Sequence, residues 1–300
     1  MLKIAYHPIF KHPLPLGHRF PMSKYELLYQ QLLHEGTFDL ENFFEPGWPS
    51  NEAILAVHDE AYLTQLLTVS LDKKAIRKLG FPLSEQLVKR EHLIAQGTIK
   101  GANYALENGI AMNIAGGTHH AYADHGEAFC LLNDQAIAAR HLQRHKNIEK
   151  ILIVDLDVHQ GNGTAKIFEK DDSVFTFSIH GASNYPFRKE QSNLDLALPD
   201  DTGDESYLNL LKSTLPRLIK DVQPQFIFYL SGVDIVSTDK LGRLGCSPEG
   251  CKERDRFVLE VCKQHEIPVQ VSMGGGYSPD IKVIIEAHAN TFREAKRIFD

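Results

Sequence analysis

Short apolar runs alternate along this chain with longer segments whose apolar residues recur at helical spacing. The runs Leu2 to Tyr6, Ala111 to Ala115, Ile151 to Val154, Val174 to Ile179, Phe226 to Leu230 and Val269 to Met273 predict β-strands. Helices are expected over Ser23 to His34, Glu60 to Val69, Ser84 to Glu107, Asp134 to His145, Asp204 to Lys220, Pro248 to His265 and Ile281 to Phe299. Nearly continuous apolar strands are buried on both faces, so the alternation predicts an α/β fold with a parallel sheet between helical layers. Nothing repeats at a fixed period and no Ser/Gly-rich or Pro-rich linker interrupts the chain, which reads as one domain over residues 1–300. Leu71 to Pro82 and Gly181 to Gly203 read as long loops, a kind that often carries function.

Each central run ends in polar, glycine-rich sequence. Ile151 to Val154 leads into Asp155-Leu156-Asp157-Val158-His159, and Ala111 to Ala115 into Gly116-Gly117-Thr118-His119-His120. Phe226 to Leu230 leads into Ser231-Gly232-Val233-Asp234, and Val269 to Met273 into Gly274-Gly275-Gly276-Tyr277. In a parallel sheet the C-terminal strand ends share one edge, and such folds bind ligands along it. Residues i, i+2 and i+4 of an extended segment share a face, which groups Asp155, Asp157 and His159. Unpaired carboxylates buried there would cost several kcal/mol each, so a cation or strong donors must lie among them.

Composition removes several alternatives. Lys and Arg number 32 against 39 Asp and Glu, a net charge of -7 with no long basic run, so direct nucleic-acid binding has no electrostatic footprint. The N-terminus reads as a strand rather than a signal sequence, and no membrane-length apolar run occurs, which predicts a soluble, cytoplasmic protein. The four cysteines form no C-x-x-C pair, and Cys130 sits in an apolar stretch as a packing residue. Any metal is therefore held by His and carboxylate. Asp157, His159 and Asp234 supply a ligand set of the catalytic zinc type, with Asp155 left for other work. His119 and His120, as neighbours on an extended chain, are expected to point apart and to serve acid/base chemistry rather than joint ligation. Tyr277 adds an O–H donor for a developing oxyanion, completing the outline of a metal-assisted amide or ester hydrolase. Taken singly, a strand-end Asp or His is more often a cap or turn residue, and His12, His34, His58 and His141 read as solvated or structural.

Taken together, Gly117-Thr118-His119-His120-Ala121, Phe129-Cys130-Leu131-Leu132-Asn133-Asp134, Asp155-Leu156-Asp157-Val158-His159 and Gly275-Gly276-Tyr277 resemble the motif series of the zinc-dependent histone deacetylase family, in the family's order. The likeness runs from about Tyr6 to Ala287, and Gln160 to Gly163 with Asp239-Lys240-Leu241-Gly242 is most similar to the class IV branch and its bacterial relatives. The resemblance implies an arginase/deacetylase-like fold and removal of acetyl or longer acyl groups from N-ε-acyl-lysine in a protein or peptide. It implies Zn2+ on Asp157, His159 and Asp234, His120 as general base and acid, His119 as its electrostatic neighbour oriented by Asp155, and Tyr277 as the group polarising the carbonyl. Asn162 stands where larger relatives back the second His with Asp; lacking charge, it should leave His120 with a lower pKa. Phe129 and Tyr185 would wall the channel, Leu241 would sit on its rim, and Ala128, Gly275 and Gly276 would contact substrate. Structural K+ is implied at Asp155, Asp157, His159, Ser178 and Ile179, with a second site at Phe168, Asp171 and Val174. Arg19, in His18-Arg19-Phe20-Pro21-Met22, is expected at the inner end of the pocket. An arginase-like hydrolase would carry further Asp residues for two Mn2+ ions where this chain has Gln160 to Gly163, so one metal is preferred. An acetylpolyamine amidohydrolase shares the ligand set and stands as the alternative activity.

Overall fold

The computed structural model describes residues 1–300. Eight strands form one sheet: β1 (Lys3–Ala5), β2 (Phe43–Phe44), β3 (Ile110–Asn113), β4 (Ile151–Asp155), β5 (Val174–Gly181), β6 (Leu194–Leu198), β7 (Phe226–Ser231) and β8 (Val269–Met273). Their order is β2-β1-β3-β8-β7-β4-β5-β6, and every pairing is parallel. Every residue of β3, β4, β7 and β8 is buried, as expected for strands covered on both faces. Those four are neighbours in the sheet, so all four polar strand ends open onto one stretch of its edge. The chain reaches β4 from β3 by stepping over the places that β8 and β7 later fill, which makes the kind of strand-order break where α/β sheets bind ligands.

Ten helices surround the sheet: α1 (Lys24–His34), α2 (Asn51–Leu55), α3 (Glu60–Leu67), α4 (Lys73–Leu79), α5 (Glu85–Asn108), α6 (Asp134–Lys146), α7 (Asn162–Ile167), α8 (Asp204–Val222), α9 (Pro248–Gln264) and α10 (Ile281–Phe299). The seven long ones fall where apolar periodicity predicts them. Ser84 caps α5 by accepting from the Leu87 N–H at 3.1 Å, and Gly109 ends it in the left-handed region. Two expected loops are corrected. Leu71 to Pro82 contains α4, whose seven residues bury only Leu79 and so give little periodic signal. Gly181 to Gly203 contains β6, an edge strand with no fully buried residue. No helix is long and apolar enough to cross a membrane.

Arg254 on α9 ties this scaffold to the strand ends. Fully buried, it donates to the carbonyls of Leu156 (3.1 Å) and Gly232 (2.5 Å), just beyond β4 and β7, while pairing with Asp255. Asp255 also accepts from the Tyr229 and Thr291 hydroxyls. Replacing Arg254 by Met would strand a buried carboxylate and two carbonyls, so denaturant unfolding should show a loss of about 3–5 kcal/mol; a loss below about 1 kcal/mol, the range of exposed ion pairs, would show that this anchor is dispensable.

Candidate active site

Asp157, His159 and Asp234 are all buried, and each presents a ligand atom within 4.8 Å of the others. Their geometry is set by the backbone. Asp157 accepts from the His159 N–H (3.0 Å), His159 Nδ1 (3.0 Å) and the Gly275 N–H (2.6 Å), while Asp234 Oδ1 accepts from the Val158 N–H (3.0 Å). Asp234 Oδ2 has no hydrogen-bond partner and lies 3.2 Å from His159 Nδ1. A Cβ on Gly275 would stand 1.8 Å from that oxygen, which is why the strand-end loop carries glycine there.

Without a cation the cluster must hold protons. Burial and the Asp157 charge push Asp234 up to about 7. Although burial opposes its charge, the two carboxylates raise His159 to about 10, while hydrogen bonds and the nearby imidazolium charges keep Asp157 well below the usual range. An orphaned buried carboxylate oxygen and a borderline N/O donor set fit one divalent ion of the zinc type.

The two adjacent histidines do not point apart. The segment is a turn rather than a strand, and their rings lie 4.0 Å apart, both facing the cavity beside the ligand cluster. Gly117 adopts φ +65°, and a Cβ there would meet the Met273 carbonyl at 2.3 Å. Asp134 holds the turn by accepting from the Thr118 N–H (2.9 Å) and hydroxyl (2.7 Å) and from the Thr98 (2.7 Å) and Ser272 (3.2 Å) hydroxyls. Asn133 caps α6 and bonds the Ala121 carbonyl, and His58 Nε2 in turn accepts the Asn133 N–H at 3.0 Å. The structural reading of His58 therefore has a definite partner.

The histidines differ in what stands behind them. His119 Nδ1 meets Asp155 Oδ2 at 2.7 Å, and this carboxylate outweighs burial to raise the imidazole pKa. His120 Nδ1 meets Asn162 Oδ1 at 2.6 Å. Burial and the neighbouring His119 and His159 charges drive His120 well below its ordinary value, and the neutral amide does not offset them.

Two joined cavities reach this cluster. An outer chamber of about 350 Å3 and an inner pocket of about 40 Å3 share His120, Ala128, Phe129, His159 and Tyr277. Phe129, Tyr185 and Leu241 line the outer chamber, with the Tyr185 ring 5.2 Å from that of His120. Ala128 takes φ +44°, keeping the left-handed backbone despite its Cβ. Its N–H and that of Phe129 are pinned to α4 by the Lys78 (3.1 Å) and Leu79 (2.6 Å) carbonyls. Burial and the Asp157 and Asp234 charges keep the Tyr277 phenol protonated. Gly275 borders the inner pocket, whereas Gly276 faces Val233, Ile284 and His288 instead of the cavity.

Arg19 is corrected: it is exposed, lines the outer chamber and lies 5.0 Å from the Phe129 ring. The inner end instead holds Lys24 and Arg90. Lys24 is 1% exposed, donates to the Gly274 carbonyl at 3.0 Å, and is lowered by burial to about 8. Nothing in the sequence of α1 singles it out, and only packing reveals it. Asp239 is a second omission. Its carboxylate accepts the N–H groups of Leu241 (2.8 Å), Gly242 (2.9 Å) and Tyr277 (2.6 Å), joining the rim to the phenol loop.

Register places Asp155 opposite Ser178, and Ile179 follows on the buried β5 strand. The Asp171 carboxylate, expected at a second K+ site, pairs with Arg140 at 2.5 Å.

Zinc ligation requires a neutral His159, so titrating Zn2+ into metal-free protein at pH 7 should release at least about one proton. Calorimetry in buffers of different ionisation enthalpy measures this; a binding heat independent of buffer would contradict the assignment.

Comparison with known proteins accords with this arrangement. The histone deacetylase domain model matches residues 18–292. An uncharacterized protein of a Picosynechococcus strain is 42% identical over 296 residues, covering 99% of both chains. Histone deacetylase 2 of Arabidopsis thaliana is 29% identical, covering 92% of this chain and 74% of its own. The crystal structure of an HDAC homolog from Aquifex aeolicus shares the fold with a TM-score of 0.82 at 22% identity, over 99% of this chain and 84% of the other. With the domain match running through all four strand-end loops, the chain belongs to the histone deacetylase family of acyl-amide hydrolases.

Proposed function

We propose that the chain is a zinc-dependent, class IV-like lysine deacetylase, hydrolysing N-ε-acetyl-lysine in a peptide or protein. The observation that carries this reading is the junction of the two cavities. A chamber walled by Phe129 and Tyr185 leads to His120, His159 and Tyr277, suiting an unbranched aliphatic chain that presents an amide at its tip. The inner pocket is small, about 40 Å3, and is bounded at its end by Lys24 and Arg90. That space suits an acetyl methyl and not a long acyl chain.

Asp157, His159 and Asp234 would hold the ion, which supplies Lewis acidity toward carbonyl and water oxygens. His120 stays neutral because of its burial, and the Asn162 oxygen accepts its Nδ1–H, leaving Nε2 to take a proton from the attacking water. The same imidazole then returns the proton to the departing lysine nitrogen. Asp155 favours the cation of His119, which would place positive charge beside the developing oxyanion, and the Tyr277 hydroxyl donates to it. K+ at the Asp155 and Ser178 set would fix the loop that carries Asp157 and His159.

Acetyl-lysine peptide turnover should disappear with a chelator and fall about 10²–10⁴-fold in His120→Ala and about 10²–10³-fold in Tyr277→Phe. Robust turnover by the His120 variant would end this reading, and a myristoyl-lysine peptide cleaved faster than the acetyl one would overturn the acyl-length assignment. Activity needs His120 neutral, so the acid limb of the rate profile follows its pKa. Restoring a charge in Asn162→Asp should raise that pKa and move the limb to higher pH by about one unit; an unmoved limb would refute Asn162 as its determinant. For Asp239→Asn, kcat should fall roughly tenfold or more through misplacement of Tyr277. The same substitution in the Tyr277→Phe background should then have little further effect, whereas additive losses would show that Asp239 acts elsewhere.

A further inference from the structure

The outer chamber has a charge opposite to that of the molecule. The chain carries a net charge of -7, yet Arg19, Arg77, Lys78 and Arg243 line the chamber and no Asp or Glu does. Lys78 pairs with Glu127 at 2.6 Å and Arg243 with Asp200 at 3.1 Å, both partners lying outside the lining. Arg19 and Arg77 are exposed and make no ion pair with the protein, so their charges face the chamber uncompensated. Arg19 is held in place over the Phe129 ring, with its cation 5.0 Å from the centroid. These residues come from three distant segments, which only the fold brings together.

Such a mouth selects among substrates by field. Cations on one wall of a concave, partly desolvated chamber raise the local concentration of anions and repel cations. Phe187, 92% exposed on the same lining, adds an apolar contact for whatever flanks the amide. We infer that the preferred substrate is an acetyl-lysine peptide segment with acidic side chains next to the modified lysine. This inference rests on the lysine deacetylase reading above and deepens it. A lysine-rich tail or an acetylated polyamine brings positive charge to the same arginines and is disfavoured, which also weighs against the acetylpolyamine alternative.

The test uses dye-labelled acetyl-lysine peptides of equal length with Glu, Gln or Lys on both sides of the modified residue, bound to the zinc-loaded protein and followed by fluorescence anisotropy. At low ionic strength the Glu peptide should bind roughly tenfold or more tighter than the Gln peptide, and the Lys peptide weakest. The gap should narrow at about 0.15 M salt, where the screening length is about 8 Å. In the Arg19→Gln/Arg77→Gln double variant the Glu-to-Gln ratio should fall toward one. Equal binding of the three peptides, tighter binding of the Lys peptide or of an acetylated polyamine, no binding by any peptide, or a ratio that survives in the double variant would overturn the inference. Turnover of the Gln peptide is read separately: its absence counts against lysine deacetylation, whereas its presence without a charge preference counts only against the acidic-substrate inference.

Discussion

Two carboxylates and an imidazole buried within 4.8 Å of one another can persist in an apolar setting only if protons or a cation neutralise them. Much of the molecule is arranged around that requirement. Four neighbouring parallel strands deliver their ends to one place, and glycines at the turns let backbone N–H groups and side chains close around the carboxylates. Arg254 holds the carbonyls behind β4 and β7, so the loops carrying Asp157 and Asp234 keep their spacing. A parallel sheet suits this task because its covered strands are stiff and its C-terminal edge stays open.

Around this centre, charge is graded from the base of the site outward. His119 has a carboxylate behind it and favours its cation; His120 has an amide and favours neutrality. In the proposed mechanism this difference in second partners divides one adjacent pair of imidazoles between an electrostatic role and a proton carrier. Farther out, uncompensated arginines give the entrance the opposite sign to the protein as a whole. On the proposed reading, acid/base work and substrate selection draw on separate sets of charges.

The central fold was legible because strands buried on both faces must be apolar throughout, and helices between them must show a stripe. Edge strand β6 and short helix α4 escaped because half-buried or seven-residue elements leave weak periodicity. Asp157 and His159 stand out as alternate residues after an apolar run, although they lie in the bend beyond β4 rather than on the strand, and Asp234 reaches them from the loop after β7. The His119-His120 turn was misjudged because extended geometry was assumed where Asp134 folds the backbone tightly. The burial of Lys24, the hold of Asp239 on the Tyr277 loop and the gathering of Arg19 with Arg77 and Arg243 leave no sequence signal, since they arise from contacts between segments far apart in the chain.

Metal analysis of the purified protein and of Asp234→Asn tests the account at its root. Burial of the three charges predicts one tightly held divalent ion per chain, lost in the variant while the fold persists by circular dichroism. Two divalent ions per chain, or an undiminished divalent ion in the variant, would contradict it.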